Sequence, residues 1–312
     1  MLLRRLAWAF GTVWLAASLA FLLIHLAPGG PAVALGGDSG APGYLEEVAR
    51  LYGLDRPLPE IYLDWLTRLA TGDLGHSYRS GQSVLSLILE RLPVTLALVA
   101  PAVALSAITG TFLGLLRTRR GFAASMAALH AVPGYLVGQV LVMVFALGLG
   151  ILPVQGLVDG RGEIGGGLER QLDMARHLVL PVLALALHNL TFVALLTRTR
   201  VMAEMERPYT LTAAAKGVAP RLVRRRHALP NAMLGLVSLL GSRLGGFVAG
   251  AVTIEVLFAL PGLGRLAVTS AIARDHPVVI GLVLFTSAVV VMTNLVVDLT
   301  FRRLDPRVGD AV

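Results

Sequence analysis

The sequence of 312 residues contains no cysteine and a single lysine, Lys216. Without cysteine the chain can form no disulfide framework, no thiolate metal site and no cysteine nucleophile. Charged residues make up only 15% of the chain and aromatic residues 6%, whereas 55% of the residues are hydrophobic and the mean hydropathy is +0.74. This composition is too apolar for a soluble domain and is typical of a polytopic membrane protein.

Motifs for catalysis and nucleotide binding are also absent from the sequence. There is no G-x-x-x-x-G-K-[ST] loop, because three alanines precede Lys216, and there is no H-E-x-x-H or G-x-S-x-G motif. The adjacent pair His188 and Asn189 lies in an apolar stretch, where a polar contact between helices is favoured over a catalytic pair. We therefore predict that the chain is not an enzyme and has no catalytic residue, no metal site and no cofactor of its own.

Six apolar stretches are each long enough to cross a bilayer as a helix, which takes about 20 residues. They cover residues 6–27, 95–116, 122–149, 178–196, 232–258 and 278–301. The first stretch follows Arg4 and Arg5 and has no convincing A-x-A cleavage site, so we interpret it as a retained signal anchor. The predicted fold is all-α, with about six membrane-spanning helices.

The basic residues predict how these spans are oriented, because cytoplasmic loops carry an excess of Lys and Arg. One side has 16 basic and 4 acidic residues in 56 positions, and the other has 10 basic and 13 acidic residues in 114. The first side comprises residues 1–5, 117–121, 197–231 and 302–312, and the second comprises 28–94, 150–177 and 259–277. Both termini are therefore expected in the cytoplasm. The net charge of +8 reflects this topology, so we predict membrane lipid and no nucleic acid as a partner.

Residues 28–94 are too long to be a simple connection between two spans. Two apolar stripes at helical spacing predict a pair of helices there, which would cover the outer ends of the spans, receive an extracytoplasmic partner, or do both. The stripes are Tyr62, Trp65, Leu66 and Leu69, and then Leu85, Ile88, Leu89 and Leu92 just before Pro93. We therefore divide the chain into residues 1–94 (first span and extracytoplasmic segment), 95–301 (five-helix core with a cytoplasmic loop at 198–231) and a cytoplasmic tail, 302–312.

Three residues of the charged types Lys, Arg, Asp and Glu fall within the predicted spans: Arg243, Glu255 and Asp298. Arg243 lies near the middle of the fifth span, where a charge costs about 2.5–3.5 kcal/mol on insertion scales. It should therefore face a counter-charge, a partner helix or a water-filled path. Glu255 and Asp298 lie nearer the ends of their spans and can reach the interface or a polar neighbour. We interpret Arg243 and Glu255 as candidates for a translocation path or a subunit interface, with a structural pairing of Arg243 left open.

Between the fourth and fifth spans, the basic polar segment 206–230 predicts two short helices joined by a turn. Pro208 suits a first helical position, and Gly217 suits the left-handed residue that ends a helix. Pro220 can open a second helix, which should end near Pro230. We interpret this helix-turn-helix as a docking element, because a loop that only connects two spans seldom folds into a helix-turn-helix.

This segment resembles the cytoplasmic E-A-A loop of ABC-importer permeases, whose pattern is E-A-A, three residues, G, nine residues, I, one residue, L-P. The acidic residue and the isoleucine of that pattern are missing here, so contacts made by the acidic residue are not carried over. The pattern T-A-x-A-K-G followed by H-A-L-x-N-A is similar to the dipeptide, oligopeptide and nickel branch. The residues that the resemblance assigns to ATPase coupling are Thr212, Ala213, Ala215, Lys216, Gly217, His227, Leu229 and Pro230.

Further short motifs extend the resemblance over nearly the whole chain, in the same order as in that branch. They are Gly72-Asp73-Leu74-Gly75, Ser77-Tyr78-Arg79, Glu90-Arg91-Leu92-Pro93-Val94-Thr95, Arg176-His177-Leu178-Val179-Leu180-Pro181, Glu255-Val256-Leu257-Phe258, Pro261-Gly262-Leu263-Gly264, Asp298-Leu299 and Leu304-Asp305-Pro306-Arg307. A single motif of this kind would support the resemblance only weakly, whereas the whole set in the same order supports it strongly.

The resemblance implies a type I permease fold and a permease subunit of a binding-protein-dependent ABC importer in a bacterial or archaeal cytoplasmic membrane. It implies three kinds of partner: a second homologous permease, two cytoplasmic ATPase subunits that hold ATP and Mg, and an extracytoplasmic solute-binding protein. The cargo would be a dipeptide, an oligopeptide, nickel or a related solute. The alternatives are a stand-alone secondary carrier or channel, which should bury several acidic groups at mid-membrane, and an intramembrane enzyme.

Overall fold

The computed structural model describes residues 2–26, 43, 47, 50, 55–116, 121–159, 167–233 and 244–304. Regular structure in these residues is helical, apart from one isolated antiparallel bridge between His76 and Ser83. The prediction of an all-α fold is therefore confirmed.

The helices of the described residues are numbered in chain order. They are α1 (Leu2–Leu26), α2 (Leu58–Ala70), α3 (Val84–Leu115), α4 (Phe122–Ala131), α5 (Gly134–Leu141), α6 (Leu168–Met205), α7 (Pro208–Ala215), α8 (Pro220–Val223), α9 (Leu244–Leu257), α10 (Leu263–Ile272) and α11 (His276–Leu304). Two π-helical segments continue α5 and α8 directly, over Val142–Gly148 and Arg224–Ala228 respectively.

Four of these helices, α1, α3, α6 and α11, are long and apolar enough to cross a membrane. Helices α4 and α5 qualify only as a pair, which is bent by 90° at the break that contains Pro133. Five of the six predicted spans therefore have a counterpart. Most of the remaining one, 232–258, is seen as α9, but residues 234–243, including Arg243, lie outside the described residues.

Two prolines lie inside helices in the structure. Helix α3 runs through Pro93, although the sequence predicted a separate outer helix before it, and Pro181 lies within α6. An interior proline costs about 3 kcal/mol. Each Val or Ile side chain that is fully buried from water contributes about 1.5–3 kcal/mol, and α3 completely buries Val84 and Ile88 in the predicted outer segment. The burial of these two side chains is large enough to offset the cost of Pro93.

The described chain divides into two compact units, the first of which comprises residues 1–93 and 265–292. In this unit α1, α2 and α11 share an apolar cluster around the buried ring of Phe21. Tyr62 and Trp65 pack against Phe21, with ring centroids 5.3 and 5.1 Å away, and the Tyr62 hydroxyl lies 2.6 Å from Ser18 Oγ. The predicted apolar stripe of the first outer helix therefore faces a core made by its own spans.

A buried carboxylate fixes the loop between α2 and α3 in the same unit. Asp275, which precedes α11, accepts hydrogen bonds from Ser77 Oγ at 2.5 Å and from the backbone N–H of Tyr78 at 3.0 Å. Ser77 Oγ in turn accepts from the backbone N–H groups of Arg79 and Ser80. The Ser77-Tyr78-Arg79 motif therefore has a structural reason, because it anchors the outer loop to the start of α11.

The second unit, residues 94–264 and 293–312, contains an unusually close crossing of α3 and α6. A Cβ atom on Gly110 would lie 2.7 Å from Val193 Cβ and 2.9 Å from the carbonyl oxygen of Leu190. A Cβ atom on Gly114 would lie 2.7 Å from the carbonyl oxygen of Ala194. This is a G-x-x-x-G contact, in which glycines let two helix backbones approach closely.

We predict that Gly110→Ala lowers the thermal stability of the chain, because the added methyl group meets backbone and forces α3 and α6 apart. Overpacking of this kind costs about 1–3 kcal/mol. The measurement is the melting temperature of the full-length chain in detergent. The control is Gly11→Ala in α1, where a Cβ atom meets nothing within 4 Å. Equal melting temperatures for the two variants would show that the crossing is looser than described.

Candidate functional site

The predicted helix-turn-helix is present, and Gly217 makes its turn. Gly217 has φ +81°, in the left-handed region that side chains with a Cβ atom rarely adopt. Its N–H donates to the carbonyl oxygen of Ala214 at 2.9 Å, and the N–H of Val218 donates to that of Ala213 at 3.2 Å. These two bonds form a Schellman motif, which pairs the last carbonyl groups of α7. The predicted role of Gly217 in the turn geometry is therefore confirmed.

The side chain of Thr210 ties α7 to the end of α6. It is 1% exposed, and its hydroxyl lies within hydrogen-bond distance of three backbone carbonyl oxygens. These belong to Glu204 (2.9 Å), Met205 (3.0 Å) and Arg207 (2.7 Å). The last carbonyl groups of a helix have no hydrogen-bond donor within that helix. Thr210, a residue of α7, supplies a donor at the end of α6.

The hydroxyl of Tyr209 connects the two ends of the segment. It donates to Glu204 Oε2 at 2.5 Å and accepts from Asn231 Nδ2 at 3.1 Å. Burial raises the pKa of Tyr209, and the bond to Glu204 raises it further, so the phenol keeps its proton and remains a donor. We call these two hydrogen bonds the Tyr209 bridge. It links the end of α6 to the beginning of the next predicted span.

The second half of the segment is attached to α6 and α3. Val223 and Ala228 are completely buried, and Ala228 packs with Val201 of α6. Arg224 Nη1 donates to the carbonyl oxygen of Leu115, the last residue of α3, at 2.9 Å. A cation at this position satisfies a free carbonyl and suits the negative end of the helix dipole. The segment is therefore attached to the ends of both α3 and α6.

The expectation that the second helix ends near Pro230 is wrong. The chain remains helical to residue 233, where the described part stops before its next gap. The π-helical segment Arg224–Ala228 immediately precedes this stretch, and Leu229 N–H bonds to the Arg224 carbonyl five residues back. Local π-helical adjustment is one of the ways in which a helix accommodates a proline.

The residues assigned to ATPase coupling fall into two groups in the structure. The α7 group is largely exposed: Thr212, Ala215, Lys216 and Gly217 face solvent, and Ala213 is half-buried. In the second group His227 and Leu229 are half-buried, and Pro230 is exposed. Two large apolar side chains also stand on the outer surface, Leu211 at 57% and Leu222 at 39% exposure. With the exposed Arg221, Arg225 and Arg226, they form a surface that we call the outer face of the segment.

Of the two candidates for the path or interface, Arg243 lies outside the described residues and Glu255 lies in the interior. The Glu255 side chain is completely buried. Its Oε1 accepts from Thr95 Oγ1 at 2.7 Å, and its Oε2 accepts from the N–H of Gly264 at 2.7 Å. Thr95 Oγ1 accepts from the N–H of Leu263 at 2.8 Å. The carboxylate and Thr95 thus cap the first residues of α10. A path role for either candidate stays a prediction.

The close packing around Glu255 accounts for the Pro261-Gly262-Leu263-Gly264 motif. A Cβ atom on Gly262 would lie 2.3 Å from Glu255 Cδ, which is impossible without a shift of the carboxylate. Sequence reasoning missed Thr95, Thr210, Tyr209, Arg224 and Asn231 as positioning residues. Their partners lie on other helices or at irregular separations, so no periodic pattern marks them. Thr95 and Asn231 do fall within motifs that carry the resemblance.

Comparison with known families gives two matches that together cover almost the whole chain. A family model described as "Binding-protein-dependent transport system inner membrane component" matches residues 102–310. A second, described as the N-terminal part of a binding-protein-dependent transport system membrane component, matches residues 1–99.

Relatives of full length support the same grouping. A putative peptide transport system permease protein of Brucella abortus (strain 2308) is 36% identical, over 99% of this chain and 98% of its own length. A probable peptide ABC transporter permease protein of Sinorhizobium fredii is 32% identical, over 98% of both chains. The oligopeptide transport system permease protein AppB of Bacillus subtilis (strain 168) is 31% identical, over 93% of both chains.

We predict that Tyr209→Phe loosens the segment without unfolding the chain, because only the hydroxyl of the Tyr209 bridge is lost. Amide hydrogen exchange in α7 should become roughly tenfold faster, since two hydrogen bonds of about 0.5–1.5 kcal/mol each no longer oppose local opening. The measurement is hydrogen–deuterium exchange of the full-length chain. Tyr135→Phe, at a residue of similar exposure in α5, is the control and should leave α7 unchanged. Unchanged exchange in Tyr209→Phe would contradict the role of the bridge.

Proposed function

This chain belongs to the family of binding-protein-dependent transport system inner membrane components, and on that premise we propose that it carries peptides through a membrane as the permease subunit of an ABC importer. The names of its relatives support dipeptides or oligopeptides as the cargo. The sequence motifs resemble a branch that also includes nickel permeases, so nickel or a related solute is a second candidate cargo. The chain itself acts as a transport subunit, and the energy comes from ATP hydrolysis elsewhere in the complex.

One structural observation carries this proposal: segment 206–230 is attached at its base by several hydrogen bonds and is exposed at its outer face. Thr210, the Tyr209 bridge and Arg224 connect it to α6, to the next predicted span and to α3. The outer face presents Leu211 and Leu222 among arginines. Exposed apolar side chains surrounded by polar residues suit a protein–protein contact.

In this proposal two ATPase subunits dock on the outer face and on its counterpart in a second, homologous permease. They bind ATP and Mg, so this chain needs no cofactor. When ATP draws the ATPases together, the segment moves as a rigid body and the attached helices follow. An extracytoplasmic binding protein delivers the cargo to the opposite side.

The orientation that this mechanism requires is the one predicted from the basic residues. We propose that the segment and both termini lie in the cytoplasm of a bacterial or archaeal cell, with residues 28–94 outside. The basic surface of the segment supports this orientation, since Arg221, Arg224, Arg225 and Arg226 are concentrated within six positions.

We predict that Gly217→Val uncouples transport from ATP hydrolysis, because a β-branched residue is strained in the left-handed region and distorts the outer face. Peptide uptake by proteoliposomes that contain the complete importer should fall about tenfold, while ATP hydrolysis persists; backbone strain of about 1–3 kcal/mol is enough for such a change. The control is Gly217→Asn, since asparagine tolerates this conformation better. Normal uptake by stably inserted Gly217→Val would refute the proposed coupling.

The orientation can be tested by cysteine labelling, for which the chain is convenient because it has no native cysteine. In intact cells an impermeant thiol reagent should label Ser39→Cys but not Ser125→Cys or Thr199→Cys. Thr199→Cys should become labelled after the membrane is opened, and the unsubstituted chain should not react at all. The reverse pattern in intact cells would overturn the proposed orientation.

A further inference from the structure

A cavity of about 230 Å³ lies beside the middle of α6, where the break between α4 and α5 and one side of α9 approach it. Its wall contains two histidines, His130 and His188, together with Asn189 and Thr253. Among the residues that the structure describes, no charged side chain lines it. A polar cavity at this depth needs an explanation, because polar groups within membrane spans are costly.

Hydrogen bonds fix the tautomers of both histidines. His188 Nδ1 lies 3.2 Å from the carbonyl oxygen of Val132, which can only accept, so this nitrogen carries the proton. Thr191 Oγ1 donates to the carbonyl oxygen of His188 at 2.7 Å, so it accepts from His130 Nδ1, 3.0 Å away. The two rings are stacked, with centroids 4.9 Å apart. In this tautomer Nδ1 of each imidazole carries the proton and Nε2 is left as an acceptor.

The other two polar side chains of the cavity are arranged in the same way. Asn189 donates one amide proton to the carbonyl oxygen of Leu185 at 2.8 Å, and Thr253 donates its hydroxyl proton to that of Gly250 at 2.8 Å. Asn189 Oδ1 and the lone pairs of Thr253 Oγ1 remain as hydrogen-bond acceptors. Three of the four side chains thus donate a proton to a backbone carbonyl and His130 donates to the Thr191 hydroxyl, and each keeps an acceptor atom for another group.

We propose that this cavity binds a primary ammonium group of the cargo, such as the amino terminus of a peptide. An ammonium group has three donors and no acceptor, so it complements a set of acceptors. The aromatic wall formed by Phe192 adds a surface that attracts cations. Neutral acceptors hold the cation less tightly than a carboxylate, and weak binding is what a transport path requires, because the solute must leave again.

The size of the cavity limits what it can hold. At about 30 Å³ for each water molecule in the liquid, it has room for a small group but not for a whole oligopeptide. The cavity would therefore receive one end of the cargo while the remainder lies elsewhere in the path. This inference rests on the proposed function for the assumption that amine-bearing molecules pass this chain, whereas binding itself can be measured without transport.

A divalent transition metal is the other ligand that two histidine Nε2 atoms attract. The described residues contain no group of three or more His, Asp or Glu side chains that is arranged to hold one. Structural zinc sites have four protein ligands and catalytic sites have three. The observations therefore favour the ammonium group, and the experiment treats metal binding as an opposing result.

The test is a nuclear magnetic resonance titration of the full-length chain in lipid nanodiscs, with ¹⁵N-labelled histidine. The probe is alaninamide, which has an ammonium group and no carboxylate, and N-acetylalaninamide is the matched compound without the charge. The Nε2 signals of His130 and His188, assigned with His130→Phe and His188→Phe, should be those of an unprotonated nitrogen. They should shift with alaninamide and stay in place with the acetylated compound.

His188→Phe keeps an aromatic ring in the stack and should weaken alaninamide binding about tenfold, the factor to which 1.4 kcal/mol corresponds. The control is His25→Phe, which removes a histidine with the same type of Nδ1 bond to a backbone carbonyl, in the other unit, and should not change the titration. Equal shifts with both compounds, or no shift with either, would overturn the proposal. So would Nε2 shifts produced by zinc chloride at concentrations where alaninamide has no effect.

The titration and the uptake assay can fail independently of each other. Absence of alaninamide binding in a chain that supports peptide uptake would refute only the cavity. Absence of uptake by the reconstituted importer would refute the function and leave the titration unaffected. The wild-type titration decides the proposal even if one of the phenylalanine variants folds poorly.

Discussion

The carbonyl and amide groups at the ends of a helix have no partner within that helix, so where the chain buries such an end it must supply another hydrogen-bond partner. Side chains do so at three helix ends among the residues that the structure describes. Thr210 satisfies the end of α6, Arg224 the end of α3, and Glu255 with Thr95 the start of α10. These hydrogen bonds also join helices of the second unit to one another.

Much of this arrangement could be predicted from the sequence, because it depends on signals that are local or periodic. Five of the six apolar stretches have a membrane-capable helix as their counterpart, and Pro208, Gly217 and Pro220 predicted the turn between α7 and α8. Two kinds of feature escaped prediction. Pro93 and Pro181 lie inside helices, although the local preference of proline is for a helix boundary. The bridge from Tyr209 to Asn231 spans 22 residues with no pattern that could pair them.

The same hydrogen bonds make segment 206–230 suitable for transmitting force. A loop attached only by its two ends would bend when a partner pulled it, and the spans would stay in place. Here three separate contacts fix the base to α3, to α6 and to Asn231, just before the next predicted span, while the outer face remains exposed. The resemblance predicted a docking loop, and the contacts at its base give a physical reason why docking there would move the attached helices.

The central claim is that ATPase subunits bind the outer face of this segment, and site-specific cross-linking in the assembled importer tests it most directly. The chain has no cysteine, so a single cysteine at Leu211, fitted with a short photoreactive cross-linker, reports one position only. A cysteine at Asp159, which is exposed and predicted to lie on the opposite side of the membrane, is the control. The account predicts a cross-link from position 211 to an ATPase subunit and none from position 159. Cross-linking to the ATPase from position 159 alone, or from neither position in a complex that hydrolyses ATP and takes up peptide, would contradict it.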